Sequence, residues 1–245
     1  MQGDMMKAVL FDLDRTLLDR DSAVIEYAER LWERWKSPAD AGQSDFVSRF
    51  VELDARGYGD KRALFQVLVL EFLAGCEAEA LHEEFAENLS VPPFADALSV
   101  LQALRKQGLL LGVITNGGSK AQRAKLANSG LLPLLDIVLV SEEVGFKKPV
   151  PEIFQAALQA LHCRAEDAVF VGDSEQGDIR GAKAVRMLPV LRRYAGENFA
   201  TEAHREVWSL NDLLALPELA SERPDRNAEK SASRGARDIF QGFRR

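Results

Sequence analysis

With 245 residues, 47% of them hydrophobic, the chain can bury a large core and is long enough for one domain with a sizeable insertion. A net charge of −7 argues against nucleic acid as a partner for the body of the protein, and no apolar run reaches the ~18–20 residues that cross a bilayer. Nothing ahead of the first strand reads as a signal peptide, and Cys76 and Cys163 match no metal-ligand spacing, so the expectation is a cytoplasmic monomer or dimer with buried thiols.

The first predicted element is a short strand, Lys7 to Phe11 of "KAVLFDLDRTLLDRD", which runs directly into Asp12 and Asp14. Residues 20–91 then carry helix patterns and almost no strand signal. "SAVIEYAERLWERWK" places Val24, Ala28, Leu31 and Trp35 on one face, and "DKRALFQVLVLEFLAG" and "EAEALHEEFAENL" follow. After Pro92 and Pro93 the text alternates: helix "ADALSVLQALRKQG", strand "LLLGVIT", helix "SKAQRAKLANSG", strand "DIVLV", helix "PEIFQAALQALH", strand "AVFVG", helix "EQGDIRGAKAVRM" and strand "LPVLRR". This alternation predicts a doubly wound, Rossmann-like parallel sheet covered on both faces. The α/β core is expected to comprise 1–19 and 92–220, with 20–91 inserted as a helical cap. The last stretch, 221–245, holds seven Lys or Arg against four acids amid Ser, Ala, Gly and Pro, and reads as a flexible basic tail whose removal should leave stability and turnover nearly unchanged.

In an open parallel sheet, ligands bind beyond the carboxyl ends of the strands. The first strand ends in Asp12 and Asp14, the second in Thr115, Asn116 and Gly117, and the fourth in Gly172, Asp173 and Ser174 with Asp178 beyond; Lys148 precedes a helix begun at 149–152. Carboxylates so gathered raise one another's pKa unless a cation intervenes, and a small oxygen-only ligand set favours Mg²⁺ together with a substrate phosphate. An insertion directly after the first strand would lie over such a site as a lid.

Four stretches, "DLDRT", "ITN", "KKPVPEIF" and "GDSEQGD", follow one another in an order and spacing that resembles the haloacid dehalogenase-like hydrolase superfamily, over nearly the whole of residues 6–216. The resemblance implies the phosphatase branch, with Asp12 as nucleophile and Asp14 as general acid and base. A nucleophile fixed on a strand can attack a phosphoryl group in line, and a second aspartate two residues on can protonate the leaving alcohol. By the same resemblance Mg²⁺ would be held by the Asp12 carboxylate, the Asp14 backbone carbonyl and Asp173. Thr115 and Asn116 would bind phosphate oxygens, Lys148 would neutralise Asp12 and the phosphate, and Thr16 and Asp178 would support the site.

Each of these residues has a plainer reading singly: an Asp after a strand is often a cap, a Thr before Asn-Gly a turn residue, a Lys before Pro a solvated side chain. Their convergence favours function. Two departures from the family pattern are Arg15, where glycine is common and which is expected to point outward, and Arg186, where a glycine cap is usual. Asp14 argues for phosphoryl transfer over dehalogenation, because a halide leaves without a proton. The expectation is hydrolysis of a small phosphorylated metabolite; a sugar phosphomutase using the same nucleophile is the alternative, and a non-catalytic phosphate-binding module a further one. Substrate selectivity is expected in the lid, at Arg56 and Tyr58 of "ARGYGDKR", with Gly57 and Gly59 permitting close approach to the substrate.

Overall fold

Val9 and Phe11 face one side of the first strand and Ala8 and Leu10 the other, and all four are fully buried, as a strand covered on both faces requires. In the computed structural model, which describes residues 6–35 and 42–220, this strand is β1 (Ala8–Phe11) and lies in the middle of a six-stranded parallel sheet. The others are β2 (Leu110–Thr115), β3 (Ile137–Val140), β4 (Ala168–Gly172), β5 (Leu188–Arg192) and β6 (Arg205–Val207), in the order β3-β2-β1-β4-β5-β6. The expected basic tail, 221–245, lies outside the described residues. Among the described residues no helix is long and apolar enough to cross a membrane.

Among the described residues, 20–91 hold helices and no strand: α1 (Arg20–Trp35), α2 (Gln43–Asp54), α3 (Lys61–Glu71) and α4 (Ala78–Asn88), joined in part by a short 3₁₀ turn at Ala55–Gly57. They build their own core, largely aromatic, in which Tyr27 meets Phe85 edge-on at 4.9 Å and Phe50 meets Phe65 at 5.8 Å. The helix α2 was not among the predicted elements, although Phe46 and Phe50, one turn apart, are fully buried on its inner face. Trp35 is 47% exposed, and Trp32 and Tyr27 are the aromatic residues of α1 that fill the core instead. The exit and return segments lie side by side: Asp19 N donates to Pro92 O at 2.8 Å and Phe94 N to Leu17 O at 3.0 Å.

The flanking helices are α5 (Ala97–Lys106), α6 (Ser119–Ser129), the single turn α7 (Ser141–Val144), α8 (Pro151–Ala160) and α9 (Arg180–Ala184), the last preceded by a π-turn over Glu175–Ile179. Neither α7 nor β6 was foreseen; four and three residues are too few to show a period. Cys76 and Cys163 are unpaired and half-buried rather than buried. Arg186 takes the left-handed conformation, φ 68°, that glycine would have adopted without steric cost, and stays exposed.

Candidate active site

Phe11 of β1 is level with Val113 of β2 and with Val171 of β4, so the chain leaves all three strands at about the same height. The next residues are Asp12, whose N–H still bonds Val171 O at 2.9 Å, Thr115, and Asp173. At this rim the strand order reverses around β1. Lys148 arrives from the segment before α8, its backbone clamped by Asn116: Asn116 Nδ2 donates to Lys148 O at 3.0 Å, and Lys148 N donates to Asn116 Oδ1 at 2.8 Å. The Asn116 amide is therefore committed to placing Lys148. Of the two neighbouring lysines, Lys148 is buried and Lys147 exposed.

Lys148 Nζ donates to Asp12 Oδ1 at 2.5 Å and lies 2.7 Å from Asp178 Oδ1. Despite that proximity Asp178 Oδ1 has no aligned hydrogen-bond donor, while Oδ2 accepts from Ser174 N at 3.0 Å. Asp178 can come this close because Gly172 has no side chain; a Cβ there would stand 2.4 Å from Asp178 Cγ. Asp12, Asp173 and Asp178 present oxygens that all lie within 4.8 Å of one another. Burial pushes the Asp12 carboxyl up to about 7, opposed by Lys148 and reinforced by Asp178. Burial and Asp12 push Asp173 up to about 6, and burial raises Asp178 as well. Burial pulls the Lys148 ammonium down, but Asp12 and Asp178 outweigh it and hold it above its usual range.

Lys148 serves Asp12 and Asp178, and Arg15 serves Asp173, so the three clustered carboxylates outnumber the cations beside them. That donor set, oxygen only and compact, fits a hard divalent cation such as Mg²⁺. Asp178, given only a supporting place from the sequence, stands among the clustered carboxylates, whereas the carboxylate of Asp14 lies outside the cluster. Asp14 accepts from Lys125 Nζ at 2.6 and 2.8 Å and from Gln122 Nε2 at 3.1 Å. Gln122 also donates to Thr115 Oγ1 at 2.6 Å, tying that hydroxyl to Asp14. Thr16 is fully buried with its hydroxyl unpartnered, its carbonyl accepting from Arg192.

Arg15 overturns its expected outward orientation. It is 5% exposed, in the left-handed region at φ 61°, and its guanidinium turns inward. Nε donates to Asp173 Oδ2 at 2.7 Å, Nη2 to Glu197 Oε1 at 2.8 Å and Nη1 to Asp21, with the Tyr194 ring 4.6 Å away. The turn between α2 and α3 also reaches this rim. Arg56 Nη2 lies 3.0 Å from Glu197 Oε1, and the Tyr58 hydroxyl stands 3.9 Å from where a Cβ on Gly177 would be. Tyr58 as a residue is 73% exposed, yet its hydroxyl is shifted up by crowding against the core, an effect that Ser174 opposes and the site carboxylates reinforce. Gly57 and Gly59 serve a different purpose from the one expected: a Cβ on Gly57 would meet Arg20, and one on Gly59 would lie 2.0 Å from Leu53 O, so they close the turn on its own helices.

Sequence reasoning did not single out Gln122, Lys125 or Glu197. The first two stand three residues apart on α6, hence on one face, which is the only signal they gave. Glu197 lies in an irregular segment and gave none.

A family model described as "Haloacid dehalogenase-like hydrolase" matches residues 9–190. The chain is 34% identical over 216 residues to a ribulose-1,5-bisphosphate 5-phosphatase of Halopiger xanaduensis, covering 81% of this chain and 90% of that protein. It is 34% identical over 198 residues to a glyceraldehyde 3-phosphate phosphatase of Methanocaldococcus jannaschii, covering 76% and 84%. Among solved structures, a haloacid dehalogenase-type hydrolase of Bacillus subtilis, bound to magnesium, superposes with a TM-score of 0.70 at 25% identity over 86% of this chain and 98% of that one.

Proposed function

Because the chain belongs to the haloacid dehalogenase-like hydrolases, we propose that it is a Mg²⁺-dependent phosphatase that hydrolyses a small phosphorylated metabolite through an aspartyl-phosphate on Asp12. The observation that carries this reading is the clustering of Asp12, Asp173 and Asp178, the first and last of them paired with Lys148, with Asp14 two residues beyond Asp12. Phosphatases of sugar and triose phosphates among the relatives support the substrate class, and the magnesium in the Bacillus subtilis structure supports the metal.

Asp12 and Asp173 would hold Mg²⁺, with the Asp14 main-chain carbonyl and with Asp178 in direct or supporting contact. Mg²⁺ bound there would offset the charge of the phosphoryl group and bring its phosphorus in line with Asp12. Asp12 then attacks phosphorus as the bond to the leaving oxygen breaks, and Asp14 delivers a proton to that oxygen. In the second half water attacks the same phosphorus, Asp14 takes the water's proton, and Asp12 is released with inorganic phosphate. Lys148 stays beside Asp12 throughout and lowers the repulsion between carboxylate and phosphate. To reach the leaving oxygen, Asp14 must swing away from Lys125, and Gln122 keeps Thr115 in place as it does. The helices of residues 20–91 act as the cap that reads the organic half of the substrate and excludes water.

A panel of sugar, triose and short-acid phosphates assayed for phosphate release, with Mg²⁺ and with EDTA, tests the reading. Release of inorganic phosphate that stops in EDTA is expected; undiminished turnover in chelator would remove the metal from the mechanism. Isomerised sugar phosphate without phosphate release would favour the mutase, for which the geometry offers no separate support.

A further inference from the structure

An arginine held in the left-handed region at φ 61° bears a steric cost that glycine would not. The contacts that this conformation brings are specific. The Arg15 guanidinium is spread over three carboxylates from three segments: Asp173 at the end of β4, Asp21 in the first turn of α1, and Glu197 after β5. Of these, Asp173 is one of the three clustered carboxylates. Glu197 has a side chain only 7% exposed, and its Oε2 is buried without a partner while Oε1 takes both Arg15 and Arg56.

We propose that Arg15 is a positioning residue that sets the metal affinity of the site: it orients Asp173 through Oδ2, contests that carboxylate with the cation, and is itself balanced by Glu197. The inference rests on the reading that Asp173 holds Mg²⁺. A fixed positive charge next to a ligand oxygen weakens binding of a divalent cation, and a carboxylate on the far side of that charge restores part of it. The two residues therefore act with opposite signs. Loss of Arg15 removes repulsion and frees Asp173 Oδ2; loss of the Glu197 charge leaves Arg15 less neutralised and strengthens the repulsion. A role confined to holding the fold together would weaken binding in both cases.

Calorimetric titration of Mg²⁺ into the EDTA-stripped full chain, without substrate, separates these outcomes. Arg15→Gly suits the backbone at φ 61° and is expected to bind Mg²⁺ ~10-fold more tightly than wild type. Arg15→Lys, which keeps the charge, is expected within about threefold of wild type, and Glu197→Gln about fivefold weaker. Arg15→Gly binding no more tightly than wild type, or no differently from Arg15→Lys, overturns the proposal; so does Glu197→Gln binding more tightly, which stands even if an Arg15 variant does not fold. Wild-type protein that takes up no Mg²⁺ defeats the metal reading and this proposal with it, whereas wild type that binds while the variants do not diverge defeats the proposal alone.

Discussion

The helical insertion and the α/β core both bury charge, and they do so in opposite ways. In the insertion, Arg20 grips both oxygens of Asp54 at 2.5 and 2.8 Å, and Lys61 adds a contact at 3.1 Å. Burial raises the Asp54 carboxyl, but Arg20 and Lys61 outweigh that and hold it below its usual range. In the core, Asp12 and Asp178 share Lys148 while Asp173 is held by Arg15, and burial drives all three acids upward. A surplus of cation closes a structural knot, while a surplus of carboxylate leaves a site that asks for a ligand.

The sharpest way to break this contrast is to remove one charge from each cluster. Asp12→Asn should reduce phosphate release by ~10³-fold or more while leaving the melting temperature near that of wild type, because a neutral amide cannot take the nucleophilic role proposed for Asp12. A variant that keeps a tenth of the wild-type rate would place the nucleophile elsewhere. Arg20→Ala should do the reverse, costing about 3 kcal/mol of stability and lowering Tm by about 5–10 °C, with Mg²⁺ dependence unchanged. Were thermal denaturation unaffected, the Arg20–Asp54 pair would not be what fixes the turn to α1.

The two clusters should also separate on a pH axis. In metal-free protein the folded state has Asp12 near 7 and Asp173 near 6, above the ~4 of an unfolded aspartate, so it binds more protons than the unfolded chain between about pH 4 and 7. Their contribution to stability is present at low pH and is lost as pH rises through that window. Asp54, shifted down, contributes above pH ~4 and loses its contribution as pH falls below it. Mg²⁺ should therefore raise Tm by several degrees more at pH 8 than at pH 5.5, a difference that differential scanning calorimetry reads directly. An equal rise at both would mean that the cation does not meet the core carboxylates.

The smallest expected effect lies where the regions meet. Arg56→Ala and Tyr58→Ala should reorder the substrate panel by ~10-fold, equivalent to ~1.4 kcal/mol, without altering the Mg²⁺ requirement. An unchanged ranking in both variants would make the α2–α3 turn a structural contact and move selectivity to the linker around Asp19, Arg20 and Asp21.

Much of this was legible in the sequence by itself. The alternation of apolar strands with amphipathic helices determined a parallel sheet, because each period follows from local geometry. The placing of Asp12, Thr115, Lys148 and Asp173 at element ends determined that they would share one rim, since parallel strands finish on the same side. Tertiary structure decided what depends on reach across the chain. Trp32 rather than Trp35 enters the core of the insertion, where it meets Phe46 from α2. Asn116 spends its amide on the backbone of a residue 32 positions away, and Asp14 finds Lys125 at a separation of 111. Arg15 turns inward because Asp21, Asp173 and Glu197, from three separate segments, surround one guanidinium. Periodicity reports which face of an element is buried, but the partner of a long charged side chain is chosen by folding, when distant segments of opposite charge are brought within about 3 Å and water is removed from between them.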